Sequence, residues 1–179
     1  MRADALKPYF KIQGPGFSGS GAGASSGVYL ETTIPSYLTA WPSRDIVRAA
    51  EQEVTRAWWK TRDAFELYSS ELVVDEVAAG DPLAAAQRVE ALAGVQLLGM
   101  TPEAEVLGAE LIRQAALPQR AAIDALHIAL AAVHGMNYLL TWNCKHIANA
   151  TMRGKIEEVC RANGVEPPII CTPMELVEE

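Results

Sequence analysis

The chain has 179 residues, 50% of them hydrophobic and 21% charged, which suits one ordinary domain with a real core and argues against global disorder. Its net charge is −7, and from Val28 onward 12 basic residues face 21 acidic ones, a balance of −9. A large basic face that grips phosphates is excluded, whereas an acidic site that recruits divalent cations is not.

Ser18–Gly27 reads SGSGAGASSG, the composition of a flexible linker. Residues 1–27 are therefore expected to be a leader outside the domain, a tag or linker; the alternative is a native arm that docks through Tyr9, Phe10 and Ile12. The stretch lacks the charged and apolar regions of a secretory signal. Gly21, Gly23 and Gly27 are no phosphate loop, because they precede a strand rather than join a strand to a helix.

From Val28 strands and helices alternate. Val28–Leu30 is the first strand, and Ser43 is the expected cap of a helix to about Thr61, with Ile46, Val47, Ala50, Val54, Ala57 and Trp58 at helical spacing. Phe65–Ser69 is the second strand, followed by helices over Ser70–Ala79 and Pro82–Leu92. Val95–Leu98 is the third strand, and Thr101-Pro102 opens a helix to about Ala116. An Ala-rich helix runs from Pro118 to His134 and stops at Gly135. Tyr138–Thr141 is the fourth strand, Thr151–Asn163 a helix, Pro168–Cys171 the fifth strand, and Thr172-Pro173 a last helical turn. This alternation implies right-handed crossovers and an α/β fold, a mostly parallel sheet with helices on both faces, formed by one domain over 28–179.

No run reaches the ~18 apolar residues of a membrane span. The longest greasy stretch, Ala121–Val133, is broken by Asp124 and His127. Cys144, Cys160 and Cys171 form no CxxC pair, so a disulfide framework and a zinc ribbon are not expected, and a cytoplasmic location fits.

Ligands of open parallel sheets bind at the carboxyl ends of the strands. Glu31 follows the first strand, and Asn143 follows the fourth. Glu76 lies two turns into the helix after the second strand, and Asp124 in the second turn of the helix before the fourth. Three carboxylates and one amide thus come to one rim. Asp124 is the only charge in AAIDALHIALAAVHG, and a buried carboxylate is costly unless offset. A hard cation offsets it; so does bonding to a helix N-terminus or to a hydroxyl such as that of Thr141. Glu76 competes with Glu71 and Asp75 for the inward face, and Glu31 has a helix cap or salt bridge as its alternative. Asn143 alone is also an ordinary turn residue. His127, one turn after Asp124, is either a site residue or a satisfied helix histidine. His134 suits a helix end. His146 with Lys145 suits a phosphate, and with Cys144 weakly suggests zinc. A Ser-His-Asp order, a GxSxG elbow and a Walker sequence are all absent.

The acid in VYLETTIPSYL, Ser70 with Glu76 in SELVVDEVAAGDP, Asp124 in AAIDALHIALAAVHG and the strand closing in LLTWNCKHIANA together resemble the PIN-domain ribonucleases, which include the VapC-type toxins of toxin–antitoxin systems. The resemblance spans about residues 28–176. It implies a PIN-like three-layer sandwich and a divalent-metal endoribonuclease that uses Mg²⁺ or Mn²⁺. It also implies an RNA substrate, a small cognate antitoxin and a homodimer. Glu31, Glu76 and Asp124 match the first three acids and Asn143 the fourth. Glu in place of the usual Asp at the first position and Asn in place of an acid at the fourth are departures. Oxygen donors of this kind suit a hard ion. Thr32, Arg44, Lys145 and His146 are the candidate substrate contacts, and Arg48 and Arg153 are further scattered cations. A PIN-like scaffold with faded activity and a structure-dependent DNA nuclease are the alternatives. Tyr37, Leu38, Trp41, Trp58 and Trp59 are the candidate dimer surface or, alternatively, a core edge.

Overall fold

A computed structural model describes residues 12–13 and 25–177. The strands are β1 (Ile12–Gln13), β2 (Gly27–Leu30), β3 (Glu66–Ser70), β4 (Gln96–Leu98), β5 (Tyr138–Leu140) and β6 (Ile169–Cys171). The helices are α1 (Thr33–Thr39), α2 (Ile46–Trp59), α3 (Glu71–Val77), α4 (Pro82–Ala91), α5 (Pro102–Arg113), α6 (Ala122–Val133) and α7 (Ala150–Ala162). All five strand pairs are parallel, in the order β1-β4-β3-β2-β5-β6.

The chain steps from β2 through β3 to β4, then crosses back to β5 and β6. Right-handed crossovers in opposite directions lay their helices on opposite faces. Helix contacts follow that division: α1 meets α2 and α4, α3 meets α4, and α5 meets α6 and α7. Val28, Tyr29 and Leu30 are fully buried, so both faces of the central strand are covered. Direction reverses beside β2, and the crevice at its carboxyl end is where such a fold offers a site.

Local chemistry sets most element ends. Ser70 caps α3 by accepting from the Val73 amide, Asp81 caps α4, Thr101 caps α5 and Asn149 caps α7. Gly135 and Gly164 take positive φ (69° and 78°) just past α6 and α7.

The structure differs from the expected elements in five places. Asp45, not Ser43, caps α2 through Arg48 N at 2.9 Å, so the helix begins later. A short 3-10 turn over Gln119–Ala121 precedes α6, which puts Asp124 in its first turn rather than its second. The carboxylate therefore sits where the helix dipole favours it. Helix α1 has no counterpart in the expected elements: TIPSYLT is rich in β-branched and hydroxyl residues, which are poor helix formers. Its Pro35 sits in the first turn, where a missing N–H costs nothing. Helix α5 ends at Arg113, short of Ala116, through a left-handed Ala115 (φ 56°). Ile12–Gln13 pair with Leu97 and Leu98 as an edge strand inside the expected leader, most of whose other residues lie outside the described ones.

Trp58 is 2% exposed and stacks on Phe65, so it belongs to the core rather than to a surface. Trp59 is half-buried beneath the Arg62 guanidinium. Trp41, Ile46 and Val47 stand exposed at the α1–α2 connection. All three cysteines are free. No helix among the described residues is long and apolar enough to cross a membrane.

Candidate functional site

Glu31 leaves the end of β2 and is buried, 4% exposed. Its Oε2 accepts from Thr33 N (3.0 Å), Thr33 Oγ1 (2.5 Å) and Thr141 Oγ1 (2.8 Å). The helix-cap alternative is thus partly real, because Glu31 holds the first turn of α1. Its other oxygen, Oε1, accepts no hydrogen bond from the described residues. Thr141 relays the contact onward: its hydroxyl also accepts from Asn143 N at 2.9 Å.

Asn143 Nδ2 donates to Asp124 Oδ1 at 2.9 Å, and its Oδ1 accepts from His146 N at 3.1 Å. His146 Nδ1 lies 2.7 Å from Asp124 Oδ2, while its Nε2 is buried without a partner among the described residues. Asp124 therefore bonds to Asn143 and His146, not to Thr141. Its side chain is part-buried at 19% accessibility.

Glu76 points to the same rim from α3. Its Oε2 accepts from the Thr32 hydroxyl and contacts His127 Nε2 at 2.9 Å. Burial raises its pKa, but the hydrogen bonds from His127 and Thr32 outweigh that, and the net direction is down. His127, 1% exposed, reaches on through Nδ1 to Tyr29 Oη (2.8 Å), which meets Ser70 Oγ (2.7 Å). Burial pushes the Tyr29 phenol far above its ordinary range.

Two hydrogen-bond runs thus converge on the Glu31–Thr32–Thr33 segment. One joins Glu31, Thr141, Asn143, Asp124 and His146; the other joins Thr32, Glu76, His127, Tyr29 and Ser70. Of the expected substrate contacts, Thr32 and His146 lie in these runs. Arg44 and Lys145 are exposed, Arg44 in the loop before α2 and Lys145 after β5. His134 closes α6 and bonds Gly99 O.

Sequence reasoning missed Tyr29 and Thr33 and left His127 undecided. A tyrosine inside a parallel strand covered on both faces must find a partner for its hydroxyl, and that was the available signal.

The donor set is oxygen: three carboxylates and an amide. Among the described residues no three His, Cys, Asp or Glu side chains are grouped so as to hold a metal ion together. The weak zinc suggestion at Cys144 and His146 finds no further ligand there. Mg²⁺ does not need three such ligands, since it binds through one or two carboxylates and keeps its waters. Glu31 and Glu76 each hold one oxygen by hydrogen-bond donors and leave Oε1 without a hydrogen bond from the described residues, an arrangement that fits a hard divalent ion.

In a parallel α/β sheet, acids gathered at the switch point stand where ligands bind and are suited to recruit a divalent cation. A family model described as PIN domain matches residues 28–145, and the chain belongs to the PIN-domain family. No curated protein matches it. PIN domains are generally nucleases and commonly use divalent metals.

Proposed function

We propose that this protein is a divalent-metal-dependent endoribonuclease of the VapC toxin type. The observation that carries the reading is the convergence of Glu31, Glu76, Asp124 and Asn143 on one rim through shared hydrogen-bonded neighbours. Mg²⁺ or Mn²⁺ recruited to this rim by Glu31 and Glu76, with Asp124 adding its charge, would polarise a phosphodiester and make water a better nucleophile. The chain's own residues then divide the remaining work. Thr33 and Thr141 fix the Glu31 carboxylate, and Asn143 and His146 fix that of Asp124. Thr32 and Lys145 stand ready for the RNA backbone, and Arg44 extends that contact. A second copy of the chain meets the exposed Trp41, Ile46 and Val47, and a small antitoxin is the further partner.

One observation favours a second reading, a PIN-like scaffold with faded activity. Both Asp124 oxygens already carry partners, and the fourth position has no charge.

Short single-stranded RNA and DNA incubated with Mg²⁺ or Mn²⁺ separate these readings. The expected result is metal-dependent internal cleavage of RNA that Asp124→Asn abolishes while the melting temperature stays nearly unchanged. Cleavage of DNA alone favours the DNA nuclease. If no cleavage occurs and Mn²⁺ leaves the melting temperature unmoved, the scaffold reading stands. Growth arrest on expression, relieved by a neighbouring gene, is the expected sign of a toxin.

A further inference from the structure

The run of polar groups behind Glu76 is unusual for a core. Tyr29 is fully buried, and Ser70 and His127 are each 1% exposed, so all three are shut off from solvent. Burying a tyrosine, a serine and a histidine together is costly unless every donor and acceptor is matched.

The matching can be read from one end. The Val73 amide is an unambiguous donor, and it gives its hydrogen to Ser70 Oγ at 3.2 Å. The Ser70 hydroxyl hydrogen then has one partner, Tyr29 Oη at 2.7 Å. The Tyr29 hydrogen goes to its other neighbour, His127 Nδ1, at 2.8 Å. Nδ1 is therefore the bare nitrogen and Nε2 carries the proton, which it donates to Glu76 Oε2 at 2.9 Å. In this order every group in the run is satisfied. In the reverse order Tyr29 donates to Ser70. The buried Ser70 hydrogen then has no acceptor, and His127 must carry two protons to face both Tyr29 and the carboxylate.

We infer that His127 is a positioning residue for Glu76, locked in its Nε2–H tautomer by the chain Val73 N–H, Ser70, Tyr29, and that this fixes which carboxylate oxygen Glu76 presents to the rim. Oε2 is claimed by His127 and Thr32, so Oε1 is the oxygen left to the site. The run also ties α3, β2, β3 and α6 to one carboxylate. Its place behind a candidate ligand is that of the outer groups that orient metal-binding side chains, whose loss costs about 10–100-fold in metal affinity. The inference rests on the reading that Glu76 serves the metal site.

The test has two arms on the full chain. Long-range ¹⁵N–¹H correlation spectra of the metal-free wild type at neutral pH report the His127 tautomer directly, and a protonated Nε2 with a bare Nδ1 is expected. An Nδ1–H tautomer or a doubly protonated ring overturns the inference without any variant. In the second arm, Mn²⁺ affinity is measured by calorimetry for wild type, Glu76→Gln, Tyr29→Phe, His127→Gln and His127→Phe. Tyr29→Phe keeps the ring and removes only the hydroxyl. It should weaken Mn²⁺ binding about tenfold and broaden His127 into mixed tautomers. His127→Gln keeps a donor toward Glu76 and should lie closer to wild type than His127→Phe. If Glu76→Gln weakens binding and folded Tyr29→Phe and His127→Phe do not, the positioning role fails while Glu76 stays in the site. If Glu76→Gln itself leaves the affinity unchanged, Glu76 is no ligand, and the role of His127 falls with it.

Discussion

Replacing Asn143 with Asp tests the fourth position of the rim most sharply. Asn143 Nδ2 lies 2.9 Å from Asp124 Oδ1, so the substitution turns a hydrogen bond into facing carboxylates. With the charge spread over each carboxylate, centres about 4 Å apart repel by about 4 kcal/mol at an effective dielectric of about 20. Both side chains are only part-buried, and the new one can rotate or share a proton. A net loss of about 2 kcal/mol at neutral pH is expected once that relief is included. For a domain of this size that lowers the melting temperature by roughly 4–8 °C. The sign with pH follows from like charges, which raise the folded-state pKa of the pair. The penalty is absent below the unfolded carboxyl pKa near ~4 and grows as pH rises through the raised folded value. Mn²⁺ should cancel it, with affinity roughly tenfold tighter than wild type, about 1.4 kcal/mol. Thermal melts at acid and neutral pH, with and without Mn²⁺, provide the assay. Equal melting at neutral pH together with equal Mn²⁺ affinity refutes the reasoning and removes Asn143 from the site.

Thr141→Val keeps the shape of a fully buried side chain but takes a donor from Glu31 and an acceptor from the Asn143 amide. A loss of about 2 kcal/mol in urea unfolding is expected, and a loss below about 0.5 contradicts it. Glu76 has a lowered pKa in the fold, so its ionisation adds stability that is present above the unfolded value of ~4.3 and lost as pH falls through the lowered one. Glu76→Gln should therefore flatten the acid limb of the stability curve, and curves that stay parallel to wild type below about pH 5 count against it. Ala115 sits in the left-handed region at φ 56°, so Ala115→Gly should stabilise the domain by about 1 kcal/mol, and a loss of stability on that change contradicts the assigned strain. Sedimentation at micromolar concentration should show a dimer that Trp41→Ser and Ile46→Ser weaken, and a wild-type monomer contradicts the second-copy contact.

The strand–helix alternation was legible because each strand is a short apolar run ended by a turn or a cap with its own chemistry. Ser70, Asp81 and Thr101 announce their helices in the sequence. Helix α1 was not legible, because its hydroxyls bond back to their own turn, Ser36 to Thr32 O and Thr39 to Pro35 O, and leave no apolar period to read. The end of α5 was misplaced for a related reason: no glycine marks it. The acids could be placed on one rim from strand ends alone. Their partners could not, since His127 to Glu76 and Thr141 to Glu31 are contacts across 51 and 110 residues of chain. Spacing along a helix shows that His127 is one turn from Asp124, not that its ring turns away toward Glu76.

Those partners also change what Asn143 means. From the sequence, three clustered acids without a cation should repel and destabilise the empty site. The structure gives each of them neutral or imidazole donors. Glu31 takes Thr33 twice and Thr141, Glu76 takes Thr32 and His127, and Asp124 takes Asn143 and His146. Hydroxyl, amide and backbone donors stabilise a carboxylate without neutralising it, so the charge remains available to a cation. An amide at 143 belongs to that scheme, because it donates to Asp124 through Nδ2 while its Oδ1 accepts from His146 N. An ionised Asp there can only accept, and it adds a charge to the rim while removing a donor from it. The amide thus exchanges some electrostatic pull on a metal for stability without one. For that reason the Asn143→Asp protein should be the weaker fold and the tighter binder at the same time.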